Sequence, residues 1–229
     1  MSEKYKLLDL YCCQGGASKG YAASGLFDVV GVDIDPQPRY PFKFVQGDAL
    51  EYVAAHGHEF DFIHASPPCQ AYSGLTPKQN KPDHERLIDL TRNALVSTGK
   101  PFVIENVAGA RHDLRSPSML CGSMFGLRTR RHRYFETNFK LDTSSFRCDH
   151  SVIPLLVTTA SKASRAKRAI LGIPPKSVKN APLAYGVDWM TADGLKECIP
   201  PAYTEWIAEQ WAAAAPPRAA LAQPAPEKP

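Results

Sequence analysis

Apolar residues fall in short blocks punctuated by Gly, Pro and acidic residues. Lys6–Tyr11 carries Leu7, Leu8 and Leu10 and reads as a buried strand. The turn Gln14-Gly15-Gly16 follows, then Ala17–Ser24 with helical character, stopped at Gly25. Asp28–Ile34 is a second strand, with the acids Asp33 and Asp35 at its end. Pro36, Pro38 and Pro41 break the chain before a short strand, Phe42–Gln46, that ends at Gly47-Asp48. Phe60–Ala65 is another strand, closed by Ser66-Pro67-Pro68. Pro82-Asp83 opens a helix to about Thr98, and Pro101–Glu105 is a further strand. Strands alternating with helical stretches predict an α/β fold with a doubly wound, mostly parallel sheet.

After Ala108 the pattern weakens. Arg131–Glu136 can hold a strand, whereas Lys140–Asn180 is basic, Ser/Thr-rich and weakly periodic. Order returns over Trp189–Trp211, with a helix at Ala202–Ala215. The expected organisation is a main domain over 1–139 and a small basic lobe over 140–180. A segment returning to the main domain (181–215) and a disordered Ala/Pro tail (216–229) complete it.

A chain of 229 residues allows one domain plus an insertion. Its 44% apolar and 22% charged residues exclude wholesale disorder, collagen and coiled coil. No apolar run reaches the ~18–20 residues a membrane span needs. The charged start Met1–Lys6 is no signal peptide, so a cytoplasmic protein is expected. The six cysteines are two adjacent and four scattered, which reads as free thiols rather than a disulfide framework. No C-x2-C pair is present; the nearest grouping is Cys148-Asp149-His150 with Cys121 and His132, and no metal is expected. The net charge is only +4, but Arg111–Asn180 holds 14 Lys and Arg against 4 Asp and Glu. An anionic polymer would concentrate its contacts there, although the same charges could simply solvate a loop-rich surface.

Functional groups in such sheets lie beyond the carboxyl ends of the strands. Asp9, Tyr11, Asp33, Asp48, Cys69 and Glu105 fall there. The Asp9–Gly16 loop is neither a G-x-x-x-x-G-K-[ST] phosphate loop nor G-x-G-x-x-G. Asp33 can accept from ribose hydroxyls, Ile34 can cover a flat base, and Asp48 can accept from an exocyclic amine. A nucleoside held by acids without a phosphate cradle suggests S-adenosylmethionine; Asp33 and Asp35 would also serve as plain strand-end turn formers.

Ser66-Pro67-Pro68-Cys69-Gln70 fixes a cysteine in a stiff loop after a strand. Glu105-Asn106-Val107 ends a later strand of the same sheet. This pair suits cytosine. Its carbon 5 is a poor nucleophile until a thiolate adds to carbon 6, and an acid at N3 eases that addition. Arg131 and Arg133 could steady the ring and lower the thiol pKa. Alternatively Glu105 and an arginine form a structural ion pair.

Together these motifs resemble the DNA (cytosine-5) methyltransferase family over about Leu7–Gln210, with a gap in the basic lobe. Asp9–Gly16, Asp33-Ile34-Asp35 and Gly47-Asp48 resemble its cofactor motifs. Pro67-Pro68-Cys69-Gln70 resembles the catalytic loop and Glu105-Asn106-Val107 the cytosine-holding motif. Arg131-His132-Arg133 resembles the later arginine pair, and Ile199–Glu209 the closing helix. The resemblance implies the class I S-adenosylmethionine-dependent methyltransferase fold. It implies catalytic Cys69, Glu105, Arg131 and Arg133. It also implies a cofactor site at Asp9, Tyr11, Cys12, Cys13, Gly15, Gly16, Asp33, Ile34, Asp48, Ala49 and Pro67. Double-stranded DNA would meet Gln70, Ser73, Lys162, Arg165, Lys167 and Arg168, the basic ones mostly at phosphates, with the protein acting as a monomer. Three departures stand out: Cys13 replaces a glycine, Thr129 replaces a glutamine, and Lys196-Glu197 stands where the family carries Gly-Asn. The small lobe implies a short or relaxed target, and with the Ala/Pro tail it suggests a phage or mobile element of a GC-rich bacterium. Two other readings stay open: a silent DNA-binding homologue, or the same chemistry on RNA or a free nucleotide.

Overall fold

The computed structural model describes residues 3–72, 86–155 and 177–215. Seven strands form one sheet: β1 (Tyr5–Leu10), β2 (Phe27–Asp33), β3 (Lys43–Gln46), β4 (Phe62–Ala65), β5 (Phe102–Asn106), β6 (Ser118–Leu120) and β7 (Arg133–Thr137). Their order is β3-β2-β1-β4-β5-β7-β6. The first five run parallel. β7 runs antiparallel to both β5 and β6. The order reverses between β1 and β4, which opens a crevice at the carboxyl ends of those strands.

The apolar blocks are continuous because both faces of the sheet are covered. Alternate residues serve opposite faces. Leu8, Leu10, Ile63, Ala65 and Ile104 pack on one side with helices α2 (Ala49–His56) and α3 (Ile88–Ser97). Leu7, Phe62, Val103 and Phe135 pack on the other with α1 (Gly16–Ala23) and α6 (Pro201–Ala214). Short helices α4 (Ala181–Tyr185) and α5 (Gly194–Glu197) precede α6 and share a smaller core with Leu155.

α1 and α6 meet at backbone distance. A Cβ on Gly20 would stand 2.0 Å from the Pro201 carbonyl oxygen and 2.2 Å from Thr204 Oγ1. Thr204 Oγ1 donates to the Ala17 carbonyl at 2.8 Å. The glycine is what lets the last helix lie directly on the first.

The predicted strands and the helices α1 and α6 are present within two residues of their expected bounds. α2, β6 and the short helices α4 and α5 went unpredicted. α2 is an Ala-rich helix whose start is marked by Asp48, the side chain of which caps Leu50 N and Glu51 N at 2.8 and 2.9 Å. β6 is three residues long, too short to show alternation. The opening Pro82-Asp83 of the predicted third helix lies outside the described residues, as do most of the 140–180 lobe and the 216–229 tail. Within 140–155 there is no helix or strand. This stretch lies against α6, with Phe146 on Trp206 at 5.0 Å between ring centroids and Asp142 N donating to Gln210. No helix among the described residues is long and apolar enough to cross a membrane.

Candidate active site

The crevice at the switch point is a cavity of about 210 Å³. One wall is the loop after β1. Tyr11 (φ 59), Cys13 (φ 45) and Gly15 (φ 80) all take the left-handed backbone conformation. Cys13 thus stands in the backbone region that favours glycine, at a cost of about 1–2 kcal/mol for a residue with a side chain. Fixed partners hold it there: Cys13 N donates to Asp33 Oδ2 at 2.8 Å, and its thiol reaches Glu197 Oε2 at 3.3 Å. A Cβ on Gly16 would stand 2.5 Å from the Ile199 carbonyl oxygen, so the chain just before α6 closes on this loop.

The other wall carries the candidate nucleophile of the sequence analysis. Cys69 is half-buried in the loop after β4. Asn106 Nδ2 donates to the Pro67 carbonyl at 2.9 Å, which ties that loop to the end of β5. Glu105 is buried beside it. Because β7 is antiparallel to β5, its first residue lies beside the last residues of β5. Arg133 Nε accordingly stands 2.8 Å from Glu105 Oε1, both side chains nearly enclosed. Cys69, Glu105 and Arg133 thus share one cavity with Asp9 and Asp33.

Burial sets the protonation states. It raises the Glu105 pKa, although Arg133, Arg131 and Ser66 each favour the carboxylate. Burial and Glu105 raise the Cys69 pKa and outweigh Arg133 and Arg131. The arginines act on the thiol in the direction the sequence reading expected, but the enclosure of the site and the Glu105 charge leave the net shift upward. Burial also moves His64 down to about 3, so this ring is neutral. His64 joins Tyr21 and Ser66, at 2.9 Å each, in a buried chain that ends at Glu105.

Asp9 shows what the cavity lacks. Its Oδ2 accepts from Ser18, while its Oδ1 is buried with no partner among the described residues. Burial pushes its pKa from 3.8 up to about 7. An orphaned acceptor on the cavity wall suits a cationic ligand group, and the ammonium and sulfonium of S-adenosylmethionine are such groups. The shift has a consequence for stability. Between pH ~4 and ~7 the folded protein keeps this proton and the unfolded chain has lost it, so stability falls as pH rises through that window and is flat above it. Asp9→Asn removes the effect. Relative to wild type it should gain about 2–3 kcal/mol between pH 5 and pH 8, read by denaturant unfolding of both proteins. An equal difference at the two pH values would show that Asp9 does not titrate in this range.

The remaining expected residues divide. Tyr11, Cys12, Ile34, Pro67 and Gln70 line the cavity, and Ile34 is 67% exposed at its rim. Gly15 packs under Tyr40 and Pro41. Asp48 and Ala49 start α2 and are not among the lining residues. Arg131 lies farther out, its guanidinium over the Tyr185 ring and bonded to the Lys196 carbonyl. Ser73, Lys162, Arg165, Lys167 and Arg168 lie outside the described residues. Sequence reasoning missed Gln14, which holds Thr191 by two bonds of 2.9 Å. It also missed Glu197 as a cavity residue; its acid in place of the usual Gly-Asn was the available signal.

Residues 5–117 match the family C-5 cytosine-specific DNA methylase. They carry Asp9–Gly16, Asp33, Cys69 and Glu105, whereas Arg131 and Arg133 lie beyond them. No curated protein sequence matches the chain. Among solved structures, the Entamoeba histolytica methyltransferase EhMeth shares the fold at TM-score 0.55 and 12% identity, over 94% of this chain and 100% of that one. A putative DNA modification methyltransferase encoded within a prophage of E. coli is 22% identical, with TM-score 0.45, over 70% of this chain and 59% of its own. The S. pombe Dnmt2 methyltransferase is 16% identical, with TM-score 0.45, over 74% and 66%. The chain therefore spans less than two thirds of the length of these last two.

Proposed function

We propose, from the premise that residues 5–117 belong to the C-5 cytosine-specific DNA methylase family, that this chain methylates carbon 5 of cytosine in DNA. The observation that carries the reading is the convergence of Cys69, Glu105 and Arg133 in one cavity with the unpartnered oxygen of Asp9. S-adenosylmethionine would supply an electrophilic methyl group. Asp9 would meet its cationic end, Asp33 its ribose, and Ile34 the face of its base.

The target base must leave the helix to reach Cys69. The Cys69 thiol loses its proton and the sulfur bonds to C6 of the ring. Glu105, whose pKa burial raises, hydrogen-bonds or protonates N3 as electron density moves into the ring. Arg133 fixes the Glu105 carboxyl and faces the charge that develops. The enamine carbon C5 then takes the methyl group. A water or nearby carboxylate removes the C5 proton, the C6–S bond breaks, and the thiol is restored. The excess of Lys and Arg over Arg111–Asn180 supports a polyanionic substrate, with Gln70 on the exposed side of the catalytic loop.

The test uses S-adenosylmethionine carrying a labelled methyl group with duplex DNA, tRNA and dCMP in parallel, each digested to nucleosides. Label in 5-methyldeoxycytidine from the duplex alone is expected. Label from tRNA or dCMP instead would move the same chemistry to that substrate. No label with cofactor bound would leave the silent homologue.

A further inference from the structure

Four potential ligands that the active site does not use meet at the corner between β6 and β7. Cys121 follows β6, His132 precedes β7, and Cys148 and His150 lie in the extended stretch 140–155. Their Sγ and ring nitrogen atoms all lie within 4.8 Å of one another. Cys121 Sγ is 3.5 Å from His150 Nε2, and Cys148 Sγ is 3.6 Å from His132 Nε2. A tetrahedral zinc ion with Zn–S ~2.3 Å and Zn–N ~2.0–2.1 Å sets its S···N edges at about 3.6 Å. The two imidazoles stack at 5.2 Å between centroids, tilted by 27°, with both Nε2 atoms turned toward the thiols.

We infer that Cys121, His132, Cys148 and His150 bind one Zn²⁺ as a closed structural site. Two thiolates and two neutral imidazoles balance its charge, and a soft S2N2 tetrahedron favours zinc over hard cations. No position is left for water, which separates this site from a catalytic one. An outer layer is in place: Ser123 Oγ donates to Cys121 Sγ at 3.3 Å and accepts from Asp149 N at 3.2 Å, and Arg130 holds the His150 carbonyl. The sequence names these four residues but lacks a C-x2-C pair and so predicts no metal; only the fold of β6, β7 and the following stretch brings them together.

The ion would do work for the active site without touching substrate. His132 stands between Arg131 and Arg133, and Arg133 is the partner of Glu105. Zinc bound to His132 would fasten the chain entering the basic lobe to the strand that carries Arg133. It makes the ligands positioning residues.

The test is elemental analysis of the full chain purified without chelator. One zinc per chain is expected, falling to background in a Cys148→Ser/His150→Ala variant. Should that variant fail to fold, Co²⁺ added to metal-stripped wild-type protein gives the second reading. Tetrahedral d–d bands with a thiolate charge-transfer band are expected, displaced by one equivalent of Zn²⁺. Wild-type protein that holds no zinc and shows no such Co²⁺ spectrum overturns the inference. So does a Cys121–Cys148 disulfide in freshly isolated protein, found by mass spectrometry. These readings concern metal and spectrum alone, so they stand whether or not methyl transfer is observed.

Discussion

Cys69→Ser is expected to lower methyl transfer on the order of 10⁴-fold or more, the scale on which covalent enzymes respond to loss of their nucleophile. A hydroxyl can occupy the same place, but its anion is far less accessible than a thiolate, and Glu105 and burial already resist a negative charge at this position. Cofactor binding should survive, because Asp9, Asp33 and the loop after β1 are held by their own contacts. The paired measurement is trapping on duplex DNA containing 5-fluorocytosine. Wild type should form an adduct that persists, since the fluorine cannot leave as a proton, and the serine variant should form none. A variant that methylates at close to the wild-type rate would remove Cys69 from the chemistry and leave its loop a binding element.

The second large effect concerns stability. Arg92 of α3 meets Glu136 of β7 through two bonds, Nε to Oε1 at 2.6 Å and Nη2 to Oε2 at 2.8 Å. Their side chains are only 3% and 4% exposed. The same guanidinium donates to the Asp113 carbonyl at 2.5 Å, and Arg115 N donates to Glu136 at 2.7 Å. Removing one partner leaves a buried charge without its counterion, which costs about 3–5 kcal/mol. For a chain of this size Arg92→Met should lower the melting temperature on the order of 10 °C. The double variant Arg92→Met/Glu136→Met should recover most of that loss, because it removes both charges. A single variant within a degree of wild type would show that Glu136 keeps enough solvent to stand alone.

What the sequence revealed and what it hid follow from range. The strands were legible because both sheet faces are buried, which turns each strand into an apolar block with a polar residue at its end. Asp9, Asp33, Cys69 and Glu105 were readable as one site for the same reason: parallel strands bring their carboxyl ends to one edge. Arg133 next to Glu105 depends on an antiparallel pairing that no local pattern announces. Asp48 carries a role the sequence reading did not give it: beside the expected base contact, its side chain caps α2. The pull of the arginines on the thiol pKa was legible and the larger opposing effect of burial was not, because charge is visible in a sequence and enclosure is not. The Cys121–His132–Cys148–His150 group was named in the sequence but no metal was expected of it, since its ligands converge from separate stretches.

The contact of α6 with α1 also bears on how the chain is made. Phe62 leaves the ribosome 141 residues before Tyr203, which shares its core. At ~5–20 residues per second that interval is roughly 7–28 s. Throughout it the nascent sheet carries Phe27 and Phe62 on a face that α1 alone covers. Synthesis thus presents a sticky half-built domain, and its yield in a cell should depend on what shields that face until the final turn of the fold arrives.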